Sequence, residues 1–263
     1  MLFRDDGGAV VAISQPAHAW LAGQIARAWG NETFSVPSPR HEVCLGAELH
    51  DIGWLDWEAA PTLDPATGLP HEFRAVGAAV HTRLWTRGVT LAQAYGRYPA
   101  LLVSLHANTI YTSMVDVTAL PPAEAGIIRA FLVEQRGFQD ATREALASDR
   151  HLAEHATPEA LERNRLLVGA ADRMSLAVCW GVGEDAQVPN APTGTGGTCG
   201  LRLRARGGDR EDLILDPWPF AAERVELACE GVRLRGRFAD ERAMREALET
   251  GERVPVVATL RPS

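Results

Sequence analysis

There is no lysine in this chain: all 26 basic residues are arginine. That absence excludes whole mechanisms. A Walker A phosphate loop needs its lysine. A Schiff-base enzyme, including any that uses pyridoxal phosphate, needs one too. Cysteine is scarce. Cys44, Cys179, Cys199 and Cys229 lie far apart and form no CxxC pair, which argues against a thiolate zinc site. Long apolar runs are missing as well, and no stretch approaches the roughly 18 apolar residues of a membrane span. The opening MLFRDDGGAV has no apolar run after a basic start, so no signal peptide is expected. Basic charge is not in excess. A formal net charge of −8 argues against non-specific nucleic-acid binding, whose affinity comes mainly from cations on phosphates. The resulting expectation is a cytoplasmic protein with reduced thiols.

What is present is ordinary globular material. The chain has 263 residues, 46% of them hydrophobic and 23% charged. That is enough for one large domain, or a main domain with an appendage. Residues 1–14 read as a β-hairpin, with turn chemistry at Asp6-Gly7-Gly8. Pro16 then suits the first turn of a helix that runs to about Trp29. A second, mostly apolar helix covers Val43 to Ile52 and stops at Gly53. The segment from Trp54 to Phe73 carries three prolines, two tryptophans and no clear period, which suggests an ordered lid. Further helices are expected at Ala75 to Arg87, Tyr98 to Tyr111, Pro122 to Leu146 and Pro158 to Cys179. Thr157-Pro158 marks the start of the last. Residues 181–200 are rich in Gly, Pro and Thr and read as a linker. The stretch 201–263 is β-rich, with one helix from Glu241 to Leu248. The expectation is an α+β protein: a helical body over residues 15–180 and a small β-rich unit that the N-terminal hairpin joins.

Histidine is the plentiful polar residue, with eight copies. Leu49-His50-Asp51-Ile52-Gly53 ends the second helix. Adjacent helical side chains diverge by about 100°, so both cannot face solvent if the helix is buried. A buried carboxylate is costly unless it is paired or coordinated. His18 lies near the start of the first helix, His81 in Val80-His81-Thr82, and His106 in the apolar run Leu101 to His106. Asp172 lies in Ala170-Ala171-Asp172-Arg173-Met174. Each alone has a plain alternative as a satisfied core or surface group. One such residue on each of five helices is the way helical bundles build metal sites.

The order His18, His50-Asp51, Asp172 resembles the HD-domain superfamily of metal-dependent phosphohydrolases. His-x-x-x-Ala on the first helix, Leu-His-Asp-Ile-Gly on the second and Ala-Asp-Arg on the last support it, over residues 15 to 180. Ile-x-Gln-Pro-x-His and Leu-Val-Ser-Leu-His further resemble a bacterial branch associated with that superfamily. The resemblance implies an HD-type helical bundle in which His18, His50, Asp51 and Asp172 hold one divalent metal. It also implies that Asp51, His81 and His106 hold a second. Such a donor set suits Fe, Mn, Co or Zn. Two ions roughly 3.5 to 4 Å apart activate a water and clamp a phosphoryl oxygen.

The implied activity is hydrolysis of a small phosphate ester or nucleotide. The same donor order also resembles the mixed-valent di-iron oxygenases of that superfamily, which would favour Fe and a small polar substrate. A non-catalytic metal-binding sensor is the third reading. Trp54 stands where the cyclic-dinucleotide phosphodiesterases have a lysine, and no Gly-Tyr-Pro triplet follows, which argues against that specificity. Around the metal set, His71 is expected as an acid/base or substrate group. Arg40, Trp54 and Arg173 are expected to bind an anionic small molecule, because arginine presents a fork that fits phosphate. Trp57, Asp56 and Glu58 are candidates for the entrance. Arg202, Arg204 and Arg206 alternate and should share one solvated sheet face. The β-rich unit is open to three uses: a partner site, a homodimer interface or a cover for the site.

Overall fold

Local signals start the helices where the sequence places them. Ser14 accepts a hydrogen bond from Ala17 N and Pro16 occupies the first turn of α1 (Gln15–Ala28). Thr157 does the same for α7 (Pro158–Trp180), and Asp240 for α8 (Glu241–Thr250). Between them lie α2 (Arg40–Leu49), α3 (Leu55–Glu58), α4 (Ala78–Gln93), α5 (Arg97–Thr109) and α6 (Pro122–Ala147). The computed structural model describes residues 1–183 and 185–263.

The strands are β1 (Leu2–Asp5), β2 (Ala9–Ile13), β3 (Leu63–Asp64), β4 (Leu69–Pro70), β5 (Ala186–Pro192), β6 (Thr198–Arg206), β7 (Asp209–Asp216), β8 (Val225–Arg235) and β9 (Arg253–Arg261). Seven of them form one sheet in the order β1-β2-β8-β9-β7-β6-β5. Neighbours are antiparallel except β7 and β9, which are parallel. The N-terminal hairpin thus joins the C-terminal strands, with Val11 opposite Arg233. The chain is α+β, as its pattern indicates. Leu201 and Leu203 are buried while Arg202, Arg204 and Arg206 are exposed, so the arginine stripe does lie on the sheet's outer face.

Two expectations change. The segment 181–200 is not a linker throughout: Ala186–Pro192 is strand β5, paired with β6, and Gly194 to Gly197 form the turn between them. Its Gly and Pro residues disguise a strand whose Val188 and Ala191 are buried in the core. Glu184 lies outside the described residues. Nor does packing divide at this boundary. Leu21, Ile25, Val168 and Met174 of the helices share one apolar cluster with Val188, Leu201, Leu215 and Leu260 of the sheet. The expected lid, Trp54 to Phe73, is ordered. It holds α3, the β3–β4 hairpin and short 3-10 turns at either end.

The layering positions the site. Helices α1 and α7 pack on the sheet, and α2 and α5 pack on them from the other side. Helix α4 crosses the turn Ile52–Trp54, and α6 closes over α4 and α5. Four elements therefore meet where His18, His50-Asp51, His106 and Asp172 sit. No helix among the described residues is long and apolar enough to cross a membrane.

Candidate metal centre

The five donors arrive on four elements. His18 is on α1, His50 and Asp51 end α2, His106 is on α5 and Asp172 is on α7. All five are buried. Two groupings could hold a metal ion: His18 with His50 and Asp51, and His50 with His106 and Asp172. Asp51 Oδ2 lies 2.8 Å from His18 Nε2 and 3.6 Å from His50 Nε2. Asp172 reaches His50 Nε2 at 3.4 Å and His106 Nε2 at 3.7 Å. Ligands about 2.0 to 2.2 Å from a shared ion stand about 3 to 3.5 Å from one another; the 3.4 Å separation lies in that range, the other three lie just outside it, and the two groupings share His50.

Hydrogen bonds fix which ring atoms face the centre. His50 donates Nδ1–H to Ala47 O at 2.7 Å. In the neutral ring its Nε2 therefore carries the lone pair, and among the described residues that buried atom has no hydrogen-bond partner. Ser175 donates to Asp172 O at 2.8 Å, one turn back on α7. Its oxygen is then the acceptor for His18 Nδ1–H at 2.9 Å. His18 Nε2 is left facing Asp51, where a second ring proton or a cation must sit between nitrogen and carboxylate. Supports of this kind orient metal-ligating histidines.

Charge follows the geometry. For His50, burial opposes the cation, yet Asp51 and Asp172 prevail and push it up to about 9. Burial opposes the Asp51 carboxylate too, but His50 and His18 hold it below the usual range. Asp172 behaves alike, with His50, His106 and His18 outweighing its burial. Burial pulls His106 down to about 4, so it stays neutral. The cluster holds two buried carboxylates and attracts positive charge.

A cavity of about 500 Å³ borders it, lined in part by His18, Asp51, His106 and Asp172. Trp54 and Arg173, two of the expected substrate residues, line the same space. Trp54 is buried and stands edge-on to Trp57, which makes it part of the cavity wall.

Other expected residues fall elsewhere. His81 belongs to neither grouping: it lines the cavity with Nδ1 at 2.7 Å from Tyr111 Oη. His71 does not line the cavity; the β3–β4 hairpin carries it to Thr62, whose Oγ1 lies 2.9 Å from its Nδ1. Arg40 donates to Arg27 O at 2.7 Å, where a cation meets the negative end of α1. It does not line the cavity. Of the entrance candidates, Asp56 pairs with Arg87. Glu58 is buried, accepts from Gln15 N at 2.8 Å and meets the Met1 ammonium at 3.1 Å. Burial outweighs that ammonium and raises the Glu58 carboxyl to about 7.

Some site residues give little or no sequence signal. Ser175 is one helical turn from Asp172, a spacing that puts both on one face. Gln15 stands in the same relation to His18. Tyr111 has no such marker: it comes from the π-helical turn Ile110–Met114 that ends α5, a feature frequent at functional sites.

A family model described as Protein of unknown function (DUF3891) matches residues 1–236. The match takes in every donor above and stops before α8 and β9. No curated protein and no solved structure matches the chain.

Proposed function

This chain belongs to the DUF3891 family, and because that description carries no chemistry we propose its function from the site: a metal-dependent hydrolase of a small phosphate ester. One observation carries the reading. His50 Nε2 is a buried ring nitrogen turned toward the centre by the Ala47 bond, without a partner among the described residues, and 3.4 and 3.6 Å from two carboxylates. Only a cation or a proton satisfies that arrangement. The resemblance of the donor order to HD-domain phosphohydrolases supports the same conclusion.

A divalent ion held there supplies Lewis acidity to a water and to a phosphoryl oxygen. The chain does the rest. His18, His50, His106, Asp51 and Asp172 hold the ion; Ser175 and the Ala47 carbonyl keep two rings in the right tautomer. Trp54 and the apolar wall exclude bulk water. Arg173 meets the anionic group at the edge of the cavity. A second ion would draw on His81, which belongs to neither grouping, so the reading takes a single ion drawn from Fe, Mn, Co or Zn.

His81 then serves proton transfer. Burial lowers its pKa, and although Asp51 opposes this, the ring stays neutral. His81→Ala is expected to keep metal content unchanged while lowering the activity about 100-fold. Loss of the ion with His81 would return it to the ligand set.

Metal uptake should depend on pH in a definite direction. Ligation needs neutral His50, and the free protein holds its proton up to about 9. From pH 6.5 to about 9 the ion displaces that proton, so affinity should rise about tenfold per pH unit and level off above. Calorimetric Mn²⁺ titration in buffers of different ionisation enthalpy reads the proton directly. A pH-independent affinity would remove His50 from the centre.

The functional test is phosphate release from a panel of monoesters with Mn²⁺ or Co²⁺, alongside metal analysis of natively purified protein. Two irons with a mixed-valent resonance and substrate-dependent oxygen uptake would overturn the hydrolase in favour of an oxygenase.

A further inference from the structure

The cavity beside the donors is mainly apolar. Phe73, Trp85, Ile110, Tyr111, Ile128 and Trp180 are part of its wall. Phe73 and Trp180 stack, with ring centroids 6.3 Å apart and planes 20° from parallel.

Cations are few. Apart from histidine, Arg74 and Arg173 are the only basic side chains on the lining among the described residues. Arg74 is already engaged, paired with Glu72 and lying 5.1 Å over the Trp180 ring. Glu124 adds a negative charge to the same wall. One uncommitted arginine, with the ion, matches one small anionic head. A polyphosphate chain needs several cations or a row of backbone amides.

Two buried polar atoms of lining residues are neutral. Gln15 Oε1 and Trp85 Nε1 are buried, belong to lining residues and have no partner among the described residues. Gln15 offers an acceptor and Trp85 an N–H donor.

We propose that the substrate is a phosphate monoester of a bulky apolar alcohol or phenol, its head at the His/Asp cluster and its body against the aromatic wall. This rests on the hydrolase reading. The reaction balances without a co-reactant. Water oxygen bonds phosphorus as the bridging P–O bond breaks, and one water proton ends on the leaving alcohol or phenol.

Binding of substrate-like probes separates this proposal from the reading beneath it. The probes are 2-naphthylmethylphosphonate, methylphosphonate and adenosine 5′-diphosphate, titrated into the full chain with and without Mn²⁺. The naphthyl compound is expected to bind at least about 30-fold more tightly than methylphosphonate, since it buries a ring system. It should also bind more tightly than the diphosphate. Because the wall sets it, the preference should persist without Mn²⁺. Trp180→Ala should weaken the naphthyl probe about tenfold and change methylphosphonate less than about twofold. Equal affinity for the two phosphonates, or tighter binding of the diphosphate, overturns the proposal. Turnover of 2-naphthyl phosphate is read separately. Tight naphthyl binding with no turnover would sink the hydrolase and leave the ligand class standing; equal kcat/KM for naphthyl and methyl phosphate would do the reverse.

Discussion

Asp51→Asn is expected to abolish the metal-induced rise in melting temperature and to lower the stability of the metal-free protein near neutral pH. The two halves of that result have one cause. Asp51 and Asp172 are both buried carboxylates that face His50, and each makes the other harder to ionise. Without an ion, His50 and His18 hold the Asp51 carboxylate against its burial and against Asp172, so removing that charge loses a net attraction. With an ion, the loss is large, because a neutral amide is a far weaker ligand than a carboxylate. An ion present at about 1,000 times its dissociation constant stabilises the wild type by about 4 kcal/mol. For a chain of this length that is a rise of about 10 °C in Tm. Differential scanning calorimetry with and without Mn²⁺ reads both halves, and phosphate release should fall to background. A variant that kept the full metal-induced shift would refute the centre.

Gly53→Ala is expected to destabilise the protein by about 3 to 5 kcal/mol, more than a routine surface change. A Cβ at Gly53 would lie 2.0 Å from Leu84 O and 2.8 Å from Gly88 N. Both atoms are α4 backbone, so no side chain can swing aside. Either α4 or the turn after Asp51 must move. That turn follows the metal donors directly, and α4 carries His81 and Trp85. Metal affinity should fall along with stability, because the same shift disturbs Asp51. Gly126→Ala and Gly137→Ala on α6 are the controls. Nothing lies within 4 Å of a Cβ at either, so each should stabilise by about 0.4 to 1 kcal/mol. Denaturant unfolding followed by tryptophan fluorescence compares all three. A Gly53→Ala protein as stable as these controls would show that the contact yields cheaply.

Much of the local architecture was legible because it rests on local rules. The caps at Ser14, Thr157 and Asp240, the hairpin at Asp6-Gly7-Gly8 and the alternation of Leu201, Arg202, Leu203 and Arg204 need only near neighbours. The candidate donors, His81 excepted, were legible for a related reason: histidine and aspartate inside apolar helices have few other ways to be satisfied. The errors share a cause too. Strand β5 was hidden because its pairing with β6 and its place on α7 supply an order that Gly, Pro and Thr do not announce. His71 and His81 look alike as lone histidines. Only the fold shows one held by Thr62 on a hairpin and the other by Tyr111 inside a cavity. Arg40 looked like an anion binder, since the sequence cannot show that Arg27 O is within its reach.

By itself the sequence determined which chemistries are excluded, through its missing lysine, and which residues could bind a metal. It also determined the α+β pattern and most helix starts, since composition, period and capping act over a few residues. The tertiary structure alone decided which donors meet. It set His50 Nε2 between two carboxylates, took His81 out of the cluster, and built an apolar chamber with a single uncommitted arginine among its described lining residues. Those outcomes depend on contacts between residues far apart in the chain, and their geometry exists only once the helices have packed.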